Sequence, residues 1–294
     1  MQNLKIIRMK IAAVVILYHP TDSTLQNIES YSEVISKTYV FDNTEEGALI
    51  RDKLSALPGI EYHHNGKNEG LPKRLNEAAH LAIKDGFDWL LTMDQDSNFA
   101  KGLFTKYASC CDGFYGKEEV AMFGTTYEKS ETTPVEICQF TAVENLITSG
   151  TLLNLSLFKK VGNFDEALFI DCVDHDYSIR SILQGYFVIR FSNVFLTHAL
   201  GKEVYKSSIK TLFMVKKKKE IHSPVRCYYM FRNMLYLTKK FKTENIPQVK
   251  QLKKDVLSRI KKAFLYGRNS TAIVFYLNKA YKDYKKMRMG KLVE

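Results

Sequence analysis

Seven consecutive residues without a polar side chain, Ile11-Ala12-Ala13-Val14-Val15-Ile16-Leu17, constrain the fold more than any other stretch. A β-branched run that never alternates with polar residues reads as a central parallel strand buried on both faces. Tyr18-His19-Pro20 ends it. Thr21, Asp22 and Ser23 offer N-caps for a helix over about 24–36, with Leu25, Ile28, Tyr31 and Ile35 at helical spacing. Thr38-Tyr39-Val40-Phe41 is a second strand, closed by Asp42-Asn43-Thr44. Strand, helix and strand within about thirty residues form a right-handed βαβ unit, which commits the chain to an α/β sheet.

A further apolar run, Trp89-Leu90-Leu91-Thr92-Met93, ends in Asp94-Gln95-Asp96-Ser97. As a short buried strand it carries two carboxylates to its C-terminal end, where open α/β sheets bind ligands. Two hard oxygen donors one residue apart suit Mg²⁺ or Mn²⁺ shared with phosphate oxygens. Asp and Ser are also ordinary turn formers, so taken alone the pair reads as a polar turn.

Other stretches add to it. Asn65-Gly66-Lys67-Asn68-Glu69-Gly70-Leu71 precedes an amphipathic helix over about 71–85, closed by Gly86. Such a loop exposes backbone N–H groups and allows close approach of a nucleotide, although it is neither a P-loop nor G-x-G-x-x-G. Asp42, at the end of its strand, is either a turn residue or an acceptor for a nucleobase N–H. Residues 100–112 read as a helix, Val120–Gly124 as a strand and 125–136 as a polar loop. Ile147–Leu153 reads as a strand containing Ser149-Gly150, and a strand glycine often marks close backbone approach to a ligand. Asp171, Asp174 and Asp176 open a helix that ends at Gly185. The helix macrodipole accounts for one or two of them. A third, beside Phe169-Ile170, is where a general base can be tuned. Tyr186–Phe191 is another strand, and Phe195-Leu196-Thr197-His198 ends an apolar run in a histidine. A lone histidine is more often structural, but an open position in a two-carboxylate metal site suits one.

Charge divides the chain. Residues 202–294 hold 25 Lys and Arg against 6 Asp and Glu, a net of +19, whereas residues 1–201 hold 18 against 26, a net of −8. This predicts a body over 1–201 and a basic, mainly helical region over 202–294, with helices at 248–266 and 271–289. The asymmetry points to a polyanionic surface, either membrane or nucleic acid. No base-reading helix or stacking motif is evident and an acidic body repels phosphate backbones, which argues against nucleic acid. The helices either lie against anionic lipid or are solvated helices packed on the body. Five cysteines, an odd number without metal-like spacing, suggest reduced thiols in a cytosol. Met1–Arg8 lacks the apolar core of a signal peptide, and no run reaches the roughly 18 apolar residues of a membrane span. No Ser/His or Cys/His pairing suggests an enzyme-bound nucleophile.

Taken together, these stretches resemble the family 2 glycosyltransferases of GT-A fold, and most of all the bacterial rhamnosyltransferase branch. The likeness runs from Ile11 to Gly201 and through Arg226–Asn233. It is carried by Val15–Pro20, Asp42-Asn43, Asn65–Leu71, Asp94-Gln95-Asp96-Ser97, Ser149-Gly150, Phe169–Arg180 and His198-Ala199-Leu200-Gly201. The resemblance implies a GT-A α/β fold, a mixed sheet flanked by helices, and an inverting transfer with Mn²⁺ or Mg²⁺. Asp42 then reads the pyrimidine, with the backbone of Tyr18 and His19 beside it. Asn65, Asn68 and Gly70 line the nucleotide, and Gln95, Ser149 and Gly150 belong to the donor-binding set. Asp94 and Asp96 match the Asp-x-Asp metal motif, and His198 completes the metal shell. Asp174 aligns with the general base. Arg226, Tyr229 and Arg232 resemble a clamp for a donor diphosphate or acceptor phosphate, replacing the Gln-x-x-Arg-Trp of processive members. The implied donor is dTDP-L-rhamnose, with UDP-galactofuranose or a UDP-hexose as the alternative. The implied acceptor is a lipid-linked glycan of a bacterial surface polysaccharide, reached at the cytoplasmic face of the membrane. The alternative from another class is a membrane- or nucleic-acid-binding module.

Overall fold

The computed structural model describes residues 7–126, 138–198, 203–207, 216–244, 246–267 and 269–293, with the side chains of His198, 203–207 and 216–220 left out. The expected loop at 127–136, the Ala199-Leu200-Gly201 end of the histidine run and most of the apolar stretch before Lys216 lie outside the described residues. The chain divides into two units: Met1–Glu166 with Val173–His198, and Ala167–Cys172 with Ala199–Glu294.

In the first unit the expected βαβ start is present. Strand β1 (Ile11–Leu17) leads to helix α1 (Ser23–Glu29) and strand β2 (Thr38–Asp42). The helix is shorter than its periodicity predicts. The Ser30 and Ser32 hydroxyls bond the carbonyls of Asn27 and Glu29, which offers the backbone an alternative to further helix. Tyr31 and Ile35 stay buried in the turns that follow. Helix α2 (Arg51–Ser55) and strand β3 (Ile60–His64) come next, then α3 (Leu71–Lys84), β4 (Trp89–Asp94), β5 (Ser97–Phe99), α4 (Leu103–Asp112) and β6 (Val120–Thr126). β7 (Phe140–Ala142), β8 (Thr151–Asn154), α5 (Leu155–Val161), α6 (Val173–Leu183) and β9 (Phe187–His198) complete the unit.

The strands form one mixed sheet in the order β3-β2-β1-β4-β8-β6-β9-β5, with β7 also on β9. β1 runs parallel to both its neighbours, β2 and β4, so their carboxyl ends stand side by side. β4 pairs antiparallel with β8, where the parallel run stops. Val15, Leu17, Val40, Leu91 and Met93 meet Phe104, Tyr107 and Phe191 in the core, which explains the unbroken apolar runs. β9 is a strand of twelve residues that runs past the expected end at Phe191, because Ser192 and Asn193 keep bonds to Gln139.

Gly150 lies just before β8, not inside a strand. Its φ of +73° is left-handed, and a Cβ there would sit 2.7 Å from Thr125 Oγ1. The close approach is therefore to Thr125 and Leu196 of the same unit. Cys110 and Cys138 form a disulfide, against the expected set of reduced thiols, while Cys111, Cys172 and Cys227 are free and buried. An odd count does not preclude one pair, and the 28-residue separation carries no sequence signature. The thiol argument for a cytosolic setting therefore falls away.

In the second unit, strands β10 (Glu203–Ser207) and β11 (Lys216–Glu220) pair antiparallel, so the tetralysine run lies in a strand. Helices α7 (Pro224–Lys240), α8 (Pro247–Tyr266) and α9 (Ser270–Lys285) pack on one another. Among the described residues, no helix is long and apolar enough to cross a membrane.

Gly150→Ala should cost about 1–2 kcal/mol for the left-handed backbone, before any clash with Thr125. The measurement is a lowered midpoint of thermal unfolding, with a larger drop than for Gly86→Ala. Gly86 has φ +81° and open space around its Cβ position, so its smaller loss is the backbone cost alone and the excess at Gly150 is the clash with Thr125.

Candidate active site

The carboxyl ends of β1, β2 and β4 carry Tyr18, His19, Asp42, Asp94, Gln95 and Asp96, and hydrogen bonds tie these ends together. The Gln95 side chain accepts from the Tyr18 N–H at 2.9 Å and donates to the Tyr18 carbonyl at 3.1 Å. It thus joins the turn after β4 to the turn after β1. Asn27 of α1 donates to the Gln95 carbonyl at 2.9 Å, and Asn98 donates to Asn27 at 3.0 Å. His19, with φ +47°, donates its N–H to Thr44 Oγ1 at 2.9 Å. On the other side the Asp94 N–H donates to Ser149 Oγ at 3.1 Å. The Asp94-Gln95-Asp96 turn is held from both sides, and its three residues remain partly exposed.

Asp42 is fully buried. It accepts from the N–H groups of Thr44 and Ala48 at 2.8 and 2.6 Å and from the Tyr62 hydroxyl at 2.5 Å. Its carboxylate supports the 42–48 turn, and only its remaining acceptor capacity is open to a ligand. Burial and the bond to Asp42 together push the Tyr62 phenol well above its usual range.

Arg74 on α3 is the residue that the sequence reading missed. It is 4% exposed, yet its guanidinium donates to Asn43 at 2.9 Å, Asn65 at 2.6 Å, Glu77 at 2.8 Å and the Lys67 carbonyl at 3.3 Å. It also lies 5.5 Å from the centre of the Phe41 ring. The Asn65–Gly70 loop is thus wrapped around a buried cation. Asn68 closes it by accepting the Gly70 N–H at 3.1 Å, and Gly70, with φ +81°, turns the chain into α3. The only sequence signal was an arginine on the apolar side of that helix.

The three carboxylates of the Asp171–Asp176 stretch have different partners. Asp176 is fully buried and accepts from Arg180 at 2.8 Å, while Arg180 also donates to the carbonyls of Val161 and Asn163. Asp174, 18% exposed at its side chain, accepts from the His175 N–H at 2.9 Å and faces His175 Nδ1 at 3.0 Å. Burial raises the Asp174 carboxyl, but the charge and hydrogen bonds of His175 outweigh it, so the group sits below the ordinary carboxylate range. In the second unit Asp171 accepts from Arg226 Nε and Nη2 at 3.0–3.2 Å.

The expected clamp residues also lie in the second unit and differ sharply in exposure. Arg226 is 49% exposed. Arg232 is fully buried, 5.1 and 5.2 Å from the ring centres of Tyr228 and Tyr229 and bonded to Asn233. Tyr229 is buried too, its hydroxyl accepting the Leu292 N–H at 2.8 Å. Arg232 and Tyr229 are therefore framework groups in this conformation, which their place in an aromatic helix did not reveal.

Two hard carboxylates on a pinned turn are the donor chemistry of a divalent cation bound together with phosphate oxygens. Among the described residues, no group of three or more His, Cys, Asp or Glu is arranged to hold a metal ion. The sheet register sets His198 opposite Ser97, the neighbour of Asp96 in the chain.

A mixed sheet whose parallel strands end together in such a turn is the architecture of the GT-A glycosyltransferases, and the chain has that fold. It is 28% identical over 269 residues to the dTDP-rhamnosyl transferase RfbF of Shigella flexneri, spanning 85% of this chain and 86% of that protein. Its fold resembles the crystal structure of GalNAc-T7 with UDP, GalNAc and Mn²⁺, with a TM-score of 0.52, 12% identity, and 65% of this chain and 44% of that chain covered. It also resembles S. aureus TarS, with a TM-score of 0.52, 14% identity, and 89% and 44% covered. At such identities these two structures speak for the fold alone, and the chain spans less than half of either. No protein-family model matches the chain.

Arg74→Met should leave the acceptors of Asn43 and Asn65 without their buried donor and cost about 3 kcal/mol or more. Denaturant unfolding measures the loss. Hydrogen exchange should show faster amides in the Asn65–Gly70 loop, whereas unchanged exchange there would contradict the role given to Arg74.

Proposed function

We propose that the chain is an inverting, metal-dependent rhamnosyltransferase. It would carry L-rhamnose from dTDP-L-rhamnose to a lipid-linked glycan in bacterial surface polysaccharide synthesis, working at the cytoplasmic face of the membrane. The observation that carries the reading is the Asp94-Gln95-Asp96 turn, pinned between Tyr18 and Ser149 at the ends of adjacent parallel strands. The choice of donor is supported by the likeness to the Shigella flexneri dTDP-rhamnosyl transferase.

Asp174 is the base. Of the three carboxylates it is the one that faces a histidine instead of an arginine. Held ionised, it takes the proton of the acceptor hydroxyl. The freed oxygen forms its bond to the anomeric carbon as the bond from that carbon to the diphosphate oxygen breaks, and the configuration inverts. Asp94 and Asp96, with His198, would hold Mn²⁺ or Mg²⁺, which when bound neutralises charge on the departing nucleoside diphosphate. Tyr18, His19 and the turn that Asp42 supports form the nucleobase cradle, and Asn65, Asn68 and Gly70 border it. Arg226 is the member of its trio available to a phosphate.

The deciding experiment offers dTDP-L-rhamnose, UDP-hexoses and UDP-galactofuranose to the enzyme and measures nucleoside diphosphate release. Release from dTDP-L-rhamnose with Mn²⁺ or Mg²⁺, abolished by EDTA and by Asp96→Ala, is expected. Release from UDP-sugars alone, or full activity in chelator, overturns the donor or the metal respectively.

Asp174→Asn keeps shape and removes basicity, so turnover should fall by about 10²-fold or more while donor binding survives. A dead Asp171→Asn beside an active Asp174→Asn would move the role to Asp171. Since the Asp174 carboxyl is held low, activity should persist down to acid pH and fall only as pH drops through that low folded value. His175→Ala removes the imidazole's charge and hydrogen bond while keeping the backbone N–H bond, so the acid limb of the rate profile should shift to higher pH.

A further inference from the structure

Helix α8 has two apolar sides. Val249, Leu252, Val256, Ile260 and Ala263 are buried at helical spacing and form its packing seam. Nothing in that packing requires large apolar groups on the opposite side, yet Leu257, Phe264 and Leu265 are 50%, 43% and 56% exposed. At about 100° per residue these three share one arc with the exposed Lys250, Lys254 and Lys261. The helix carries six Lys and Arg against one acidic residue, Asp255, which lies off this arc and accepts from Gln251. Helix α9 also exposes Val274 and Phe275 near its start, by 55% and 64%.

We propose that this arc of α8 is the face by which the protein docks on an anionic lipid surface. An ordinary solvated helix turns charged groups outward and apolar groups inward. An interfacial helix interleaves large apolar residues with lysines whose stems reach past them to the phosphates. The charge decides between lipid and a second copy of the chain, because two such basic arcs repel each other and an anionic leaflet attracts both. The inference deepens the reading of a lipid-linked acceptor and rests on it for the purpose of docking, but its test contains no sugar donor.

The test is co-sedimentation of the full chain with vesicles of phosphatidylglycerol mixed into phosphatidylcholine, or of phosphatidylcholine alone, at low and high salt. Binding to the anionic vesicles only, with release at high salt, is expected. The triple variant Lys250→Gln/Lys254→Gln/Lys261→Gln should bind about 100-fold more weakly. Leu257→Ser/Phe264→Ser/Leu265→Ser should also weaken binding, at unchanged circular dichroism. Both variants should release nucleoside diphosphate from the donor in solution at the wild-type rate, so failure of the donor reading is scored separately. Equal pelleting with neutral and anionic vesicles overturns the proposal, as does wild-type binding by both variants. A dimer that the serine variant dissolves, with no vesicle binding by the wild type, would assign the face to a second copy. Oligonucleotide binding lost in the lysine variant, again without vesicle binding, would assign it to nucleic acid.

Discussion

Strand β1 has no polar side chain and no free edge, since β2 and β4 pair with it on both sides. Chemistry therefore cannot be placed along it and must collect where the strands stop. There the backbone leaves the ladder, and its N–H and C=O groups need other partners. The partners supplied are mostly neutral amides and hydroxyls: Gln95 for Tyr18, Thr44 for His19, Asn27 for Gln95 and Ser149 for Asp94. Neutral partners hold the turns in place without adding charge to them. Two buried charged groups, Asp42 and Arg74, add to these bonds, Asp42 accepting from loop N–H groups and Arg74 donating to loop side chains. Removing either would leave several groups unpaired at once, and this makes such networks rigid.

The parts of this design that sequence reveals are those with a long, consistent period. β1, β4, α3, α6 and the aromatic helix α7 are legible because an apolar run or a 3.6-residue stripe recurs several times in each. β3 was missed because Ile60-Glu61-Tyr62-His63-His64 is partly exposed throughout and alternates weakly, as an edge strand does. α2 has five residues, too few for a period to show. The expected strand stopped at Phe191, whereas β9 runs on to His198 because bonds to Gln139 carry it through Ser192 and Asn193. Gly150 was expected inside a strand, close to a ligand, whereas it precedes β8 and faces Thr125 and Leu196; which group approaches it is a tertiary fact. The disulfide between Cys110 and Cys138 is tertiary in the same way.

The candidate site was legible as a set of residue types and less so as a division of labour. Asp171, Asp174 and Asp176 look interchangeable in sequence, whereas the fold gives two of them to arginines and one to a histidine. Arg226 and Arg232 look equally suited to phosphate, yet one is half-exposed and the other has no exposed surface. In each case the deciding information is which partner arrives from a distant part of the chain. Local spacing does not encode that.

The neighbouring residues Arg232 and Asn233 show how far such a partner can act. Phe169, Asp171 and Cys172 all have positive φ, a conformation that costs side-chain-bearing residues of order 1–3 kcal/mol each and persists only when the surroundings impose it. The imposing group within the second unit is Asn233, whose Nδ2 donates to the carbonyls of Leu168, Ile170 and Asp171 at 2.8, 2.7 and 3.0 Å. Its orientation is set from the other end, because Oδ1 accepts from the Arg232 guanidinium at 3.2 Å. The guanidinium in turn is seated between Tyr228 and Tyr229, so the amide cannot flip without breaking both sets of bonds. An aspartate at 233 would keep the arginine contact and turn a carboxylate toward three carbonyl oxygens, and a leucine would leave those carbonyls unbonded in a buried place. The backbone that presents Asp171 to Arg226 is thus strained by design of its neighbours, and a residue sixty positions downstream holds the strain.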